Sequence, residues 1–110
     1  MGSGEGRTEP EEVRRALRFT AEADIDIALI HQWYDARSPR RSRRFLGALE
    51  LALVFITEFP EAGPMVHKDL RRVSLRGFTY AVYYRITEST LEIRGCLHGR
   101  RNPRAWRSRA

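Results

Sequence analysis

The hydrophobic pattern of this chain changes from a helical period to a strand period at the turn sequence PEAGP of residues 60–64. Before this turn, apolar residues recur every three or four positions, a spacing typical of amphipathic helices. After it, apolar and polar residues alternate, which is typical of strands with one buried face. Helical segments followed by a run of strands predict an α+β fold, in which helices cover one face of a sheet.

Two helices are predicted before the turn. Thr20 offers an N-cap oxygen for the first, over residues 21–37. Ser38 and Pro39 then restart the chain as a second helix, which stops at Phe59. The first helix carries two neighbouring apolar stripes: Ile27, Ile30 and Tyr34 on one, and Ile25, Leu29 and Trp33 on the other. Because the stripes together make a wide apolar face, we expect this helix to be buried on more than one side of a helical hairpin.

One strand is predicted before the hairpin and three after the turn, over residues 16–19, 70–75, 78–85 and 91–97. The turns between the last three strands are short, which predicts an antiparallel meander. The predicted element order is therefore β-α-α-β-β-β, with the hairpin packed on one face of a mostly antiparallel sheet. We assign residues 1–15 to a flexible leader, 16–107 to a single domain and 108–110 to a tail.

The chain is strongly basic and has a single cysteine. Its formal net charge is +6, and all Lys and Arg residues except Lys68 are arginines. A basic excess of this size favours an anionic partner, such as nucleic acid or an acidic protein. Cys96 alone cannot form an internal disulfide, the first residues contain no secretory signal, and no apolar stretch is long enough to span a membrane. We therefore expect a cytoplasmic protein.

Strand alternation predicts a polar sheet face opposite the helices. If the apolar residues of each strand face the hairpin, the other face displays Arg72, Arg76, Tyr83, Arg85, Arg94 and His98. Cys96 alternates onto the same face. Arginines bind phosphate and carboxylate groups, and histidine transfers protons near neutral pH. The pattern therefore predicts an open binding face with one candidate proton-transfer group.

Several segments resemble the RelE/ParE superfamily of bacterial type II toxins, which includes the plasmid stabilisation factors. In the C-terminal half they are FTYAVYYR (residues 78–85), LHGRR (residues 97–101) and NPRAW (residues 102–106). Upstream, RFTAEADIDIALIHQWY (residues 18–34) resembles the first helix of that superfamily, and FPEAGP (residues 59–64) its helix-to-sheet turn. The resemblance covers nearly all of the predicted domain, from Leu17 to Arg107.

The resemblance implies a small toxin that arrests growth. It also implies neutralisation by direct binding of a cognate antitoxin in a hetero-oligomer, with operator DNA bound only through the antitoxin. An acidic, amphipathic antitoxin segment could cover the arginine face and dock on the helical hairpin or on a sheet edge. No membrane partner is implied.

The superfamily contains two functional classes. RelE-like members cleave mRNA on the ribosome, whereas ParE-like members inhibit DNA gyrase and are not nucleases. RelE-like sequences usually supply lysines or a carboxylate in this region, but this chain has only Lys68, outside the meander. The ending LHGRR is closer to the ParE-like and plasmid stabilisation branch, which implies inhibition of gyrase without catalysis. The residues expected to contact the target are Arg72, Arg76, Tyr83, Arg85, Arg94, Arg100 and Trp106.

Two alternatives stay open. In one, the chain is a metal-independent, ribosome-dependent mRNA endonuclease with His98 and Arg101 as catalytic residues. In the other, it is a non-toxic module that binds its antitoxin.

Trp106 is also expected to pack the end of the chain onto the body. The sequence has neither a metal-ligand cluster nor a nucleotide-binding motif, so no cofactor is expected.

Overall fold

The computed structural model describes residues 15–99 and 102–110. Its elements are β1 (Ala16–Phe19), α1 (Ala21–Arg37), α2 (Pro39–Glu58), β2 (Met65–His67), β3 (Leu70–Ser74), β4 (Tyr80–Ile86), β5 (Thr90–His98) and α3 (Pro103–Arg107). The strands form one sheet in the order β1-β5-β4-β3-β2, with β1 parallel to β5 and the other neighbours antiparallel. The predicted α+β fold, a helical hairpin packed on a mostly antiparallel sheet, is confirmed. The short β2 and α3 are additions that the hydrophobic pattern did not indicate.

A single serine ends one helix of the hairpin and begins the other. The backbone N–H of Ser38 donates to the carbonyl of Tyr34 at 2.6 Å, which closes α1. The side-chain oxygen of Ser38 accepts from the backbone N–H of Arg41 at 3.2 Å, which caps α2. Pro39 follows in the first turn of α2. Because one residue serves both caps, the connection is short and the two helices pack as antiparallel neighbours.

The main core lies between the hairpin and the sheet. Its members include Ile30, Phe45, Leu49 and Ile56 from the helices and Val82, Tyr84, Leu91 and Ile93 from the strands. Phe45 also packs edge-on against Phe78, with ring centroids 5.8 Å apart. Removal of these side chains from water is the main favourable contribution to folding.

Only one of the two apolar stripes of α1 is buried. The stripe with Ile30 faces the main core. In contrast, Ile25, Leu29 and Trp33 are 57%, 59% and 51% exposed. The expectation that α1 is buried on more than one side is therefore wrong, because its packing on β5 and against α2 occupies one side of the helix.

A β-bulge interrupts the pairing of β4 with β5. Tyr84 pairs with Ile93, but the preceding Tyr83 pairs with Gly95. Arg94 is therefore an extra residue in the ladder. Since the side-chain period of a strand is two, one extra residue moves every later side chain of β5 to the opposite face.

The bulge reverses the predicted faces at the end of β5. Cys96 lies in the main core, while Leu97 joins the buried residues on the other sheet face. His98 is directly opposite Tyr80, which packs against the main core, and their ring centroids are 4.7 Å apart. The prediction that Cys96 and His98 face away from the helices is wrong, because simple alternation does not include the extra residue.

The second face of the sheet is covered by the C-terminal segment. Trp106 of α3 is 8% exposed and packs in a small core with Leu70, Ala81 and Tyr83. Its ring stacks on Tyr83, with centroids 5.7 Å apart and an angle of 11° between the planes. The expected open face is therefore wrong, whereas the expectation that Trp106 packs the end of the chain onto the body is confirmed.

Replacing Trp106 with alanine should lower the free energy of unfolding by about 3 kcal/mol, because a large buried ring is lost. Chemical denaturation followed by circular dichroism measures the change. Arg104→Ala, on an exposed position of the same helix, is the matched control and should change stability by less than about 0.5 kcal/mol. Equal denaturation midpoints for the two variants would show that the Trp106 ring does not stabilise the small core.

Candidate functional site

Two of the predicted site residues, Arg72 and Tyr83, hold the end of β5. Arg72 donates from Nη1 to the carbonyl of Gly99 at 2.7 Å. The hydroxyl of Tyr83 donates to the carbonyls of Gly99 and His98, at 3.2 and 3.3 Å. Burial raises the pKa of Tyr83, and the hydrogen bond with Arg72 opposes this effect. Both side chains therefore make hydrogen bonds within the chain and are not free groups on an open surface.

Arg85 and Arg94 are also paired within the chain. Arg94 donates from Nη1 to Glu92 at 2.8 Å and from Nε to the carbonyl of Arg109 at 2.6 Å. The Nε of Arg85 lies 3.8 Å from a carboxylate oxygen of Glu92 and 3.8 Å from one of Asp69. A guanidinium whose charge is balanced by a neighbouring carboxylate attracts an external anion less strongly.

The carboxylate of Asp26, on α1, meets donors from two other segments. It accepts from the backbone N–H of Cys96 at 3.0 Å and from Nη1 and Nη2 of Arg109 at 2.7 and 3.2 Å. Arg109 also donates to the carbonyl of Arg94 at 3.1 Å. Together, Asp26 and Arg109 satisfy the backbone N–H of Cys96 and the carbonyl of Arg94 in β5. These groups lie past the point where the neighbouring strand β1 ends, at Phe19. The residues assigned to a tail therefore include a contact that the fold uses.

Within the described residues, His98 and Arg72 do not come together. Arg76 is exposed just after β3. Arg100 and Arg101 lie outside the described residues. The side chain of His98 is on the hairpin side of the sheet, whereas that of Arg72 is on the other side. The target-binding and catalytic roles assigned to these residues stay predictions.

An apolar groove of about 300 Å³ lies between α2 and the end of β3. It is lined by Ala48, Leu51, Ala52 and Phe55 of α2 and by Val73, Ser74 and Arg76. Leu51 is 68% exposed and Phe55 is 41% exposed. Such exposed apolar surface indicates an interaction site. Sequence reasoning missed this groove, although α2 has more apolar residues than one buried face needs.

The strand edge beside the groove is open. On the edge of β3 that faces β2, the last hydrogen bond is donated by the backbone N–H of Arg72 to the carbonyl of Pro64, at 3.1 Å. Ser74, two residues later, directs its backbone N–H and carbonyl to the same edge, because the direction of these groups alternates along a strand. β3 has no strand neighbour at Ser74 on this edge within the part of the chain that the structure describes.

No group of three His, Cys, Asp or Glu side chains within residues 15–99 and 102–110 is placed to hold a metal ion. Across the same two ranges, no helix is both long and apolar enough to cross a membrane.

Comparison with known proteins gives the class of the chain. The family described as the ParE toxin of the type II toxin–antitoxin system parDE matches residues 17–103. Because this match covers most of the sequence, the chain belongs to the ParE toxin family, and the resemblance to the RelE/ParE superfamily is confirmed. No curated protein sequence matches the chain at a significant level.

The solved structures of similar fold include one from a toxin–antitoxin system. It is described as the chromosomal ParDE TA system from P. aeruginosa, and it matches with a TM-score of 0.67. The match covers 79% of this chain and 98% of that chain, at 14% sequence identity. At this identity the likeness shows the fold, including the hairpin and the sheet that carry the groove.

The thiol of Cys96 should be unreactive toward maleimides at neutral pH until the chain unfolds. Burial raises the pKa of Cys96 from 9.0 to about 12, and the nearby carboxylate of Asp26 adds to this effect. Since the reactive form is the thiolate, the folded chain offers almost none of it. Mass spectrometry after labelling, with and without denaturant, measures the reaction.

The same raised pKa has a consequence for stability. The folded state keeps the thiol proton above pH 9.0, where the unfolded state releases it, so the free energy of unfolding should fall as pH rises from 9.0 toward about 12. Cys96→Ala should show a shallower fall, and the difference isolates the thiol from the buried tyrosines. Rapid labelling of the native chain would contradict this assignment.

Proposed function

We propose that this ParE-family chain inhibits DNA gyrase by binding to it, and that a cognate antitoxin neutralises it by direct binding. Membership of the ParE toxin family supports gyrase as the target. The observation that carries the choice of mechanism is the separation of His98 from Arg72 and Arg85, which lie on the other side of the sheet. Binding without catalysis needs no such convergence.

Ribonuclease chemistry requires a proton-transfer group and cations around one phosphate. The ring of His98 lies beside Tyr80 on the hairpin side of the sheet. Arg72 reaches the carbonyl of Gly99 on the other side, and Arg85 lies near Glu92. With the sheet between them, one phosphate does not contact both groups. This arrangement supports a toxin that binds its target over one that cleaves RNA.

The exposed arginines of α3 are the candidate contacts to gyrase. Arg104 and Arg107 are exposed on this helix and border an open depression at its outer side. Arginine presents several donors in one plane and therefore suits an acidic protein surface. We infer that these two residues contact the target, rather than the arginines that are bonded within the sheet.

The groove beside α2 is the candidate antitoxin site. Arg44 lies on the same face of α2 as Leu51 and Phe55, at the helical spacing i, i+7, i+11. Arg76 lines the groove at its other side. An apolar floor flanked by arginines suits an acidic amphipathic segment, and the open edge at Ser74 could pair with an extended part of it. The solved structure of similar fold is described as a toxin–antitoxin system, which supports a protein partner.

Purified gyrase should lose its supercoiling activity when the toxin is added, and the cognate antitoxin should restore it. Leu51→Glu should inhibit gyrase equally but require at least about tenfold more antitoxin for relief. The reason is that burying an unpaired carboxylate in an apolar interface costs more than the roughly 1.4 kcal/mol that corresponds to a tenfold change in affinity. Plasmid supercoiling with titrated antitoxin measures both effects.

Val54→Glu is the matched control for this experiment. Val54 is 49% exposed on the same helix but does not line the groove, so this variant should be relieved like the wild type. Undiminished gyrase activity with wild-type toxin would exclude gyrase as the target. Equal relief of the two glutamate variants would place the antitoxin elsewhere.

A further inference from the structure

The exposed apolar stripe of α1 consists of Ile25, Leu29 and Trp33, each more than half exposed. Their spacing of four residues places them on one line along the helix. The stripe and the groove lie at opposite edges of the molecule, because α1 packs over β5 and α2 over β3. We propose that the stripe binds a second copy of this chain, with two α1 helices packed antiparallel about a two-fold axis.

Charges at the ends of the stripe make it self-complementary. Glu22 precedes Ile25 by three residues and Arg37 follows Trp33 by four, so both lie on the same face of α1. In an antiparallel pairing centred on Leu29, Ile25 of one copy meets Trp33 of the other, and Glu22 meets Arg37. Apolar side chains are then buried in the middle and opposite charges pair at both ends. A parallel pairing instead places like charges side by side.

The dimensions of α1 allow both sets of contacts at once. At a rise of about 1.5 Å per residue, Glu22 lies about 10.5 Å and Arg37 about 12 Å from Leu29 along the axis. Long side chains easily span the difference. Arg37 is already directed along the stripe, since its Nη1 donates to the carbonyl of Trp33 at 3.1 Å and its guanidinium lies 4.0 Å from the centroid of the Trp33 ring.

Other occupants fit the stripe less well. Residues 1–14 contain only Met1 and Val13 as large apolar side chains, so the start of the chain offers little to bury against Ile25, Leu29 and Trp33. An acidic antitoxin segment is better matched to the arginine-flanked groove at the other edge. A dimer through α1 would leave that groove open, so two toxin chains could each bind an antitoxin.

Sedimentation equilibrium of the purified full chain, from micromolar to millimolar concentrations, tests the proposal. The wild type should show a reversible monomer–dimer equilibrium. Leu29→Glu should raise the dissociation constant at least about tenfold, because it places two carboxylates at the two-fold axis. Leu51→Glu, a similarly exposed leucine on α2, is the matched control and should dimerise like the wild type.

Charge reversal tests the antiparallel orientation. Glu22→Arg and Arg37→Glu should each weaken the dimer, and the double variant should recover part of the loss because opposite charges meet again across the axis. A wild type that stays monomeric at millimolar concentration would overturn the proposal, as would a Leu29→Glu dimer of unchanged affinity. The measurement uses neither gyrase nor antitoxin, so its outcome is independent of the proposed function.

Discussion

The carboxylate of Asp26 is the contact on which the arrangement of the C-terminal half depends. It joins α1 to a backbone N–H of β5 and to the guanidinium of Arg109. Gly95 permits the junction, since a Cβ at this position would lie 2.7 Å from the guanidinium of Arg109 and 3.2 Å from the carboxylate of Asp26. With Arg109 held there, α3 is positioned so that Trp106 covers Tyr83, and the second face of the sheet is closed.

Because this sheet face is covered, the arginines on it bind groups within the chain rather than a partner. Arg72 and Arg94 hold strand and chain ends through backbone carbonyls, and Arg85 lies beside two carboxylates. Within the described residues, most of the exposed arginines lie instead on the hairpin and on α3, and Arg76 is exposed beside the groove. Basic charge is therefore presented at the edges and ends of the molecule, next to apolar surfaces. Such a distribution suits recognition of acidic proteins better than placement of a single phosphate.

Local sequence patterns predicted the helices and strands. Contacts between residues far apart in the sequence determined which side chains the candidate site presents. The period change at residues 60–64 separated the hairpin from the meander, and Ser38 marked the junction of the helices. The bulge at Arg94 has no signature in the alternation of polar and apolar residues, and it moves His98 to the hairpin side. The Asp26–Arg109 pair joins residues 83 positions apart, which no local pattern indicates. In the sequence, Trp106 was the signal that the second sheet face is covered, because a large aromatic residue near a chain end is expected to pack onto the body.

A toxin that acts by binding does not need the imidazole of His98, and this is the most direct point to test. The His98→Ala variant and the wild type would be expressed at matched protein levels, and growth and the 5′ ends of cellular mRNA recorded. Binding without catalysis predicts equal growth arrest by both chains and no new 5′ ends. Loss of arrest in the variant, together with new 5′ ends produced by the wild type, would contradict this mechanism and assign His98 to RNA cleavage.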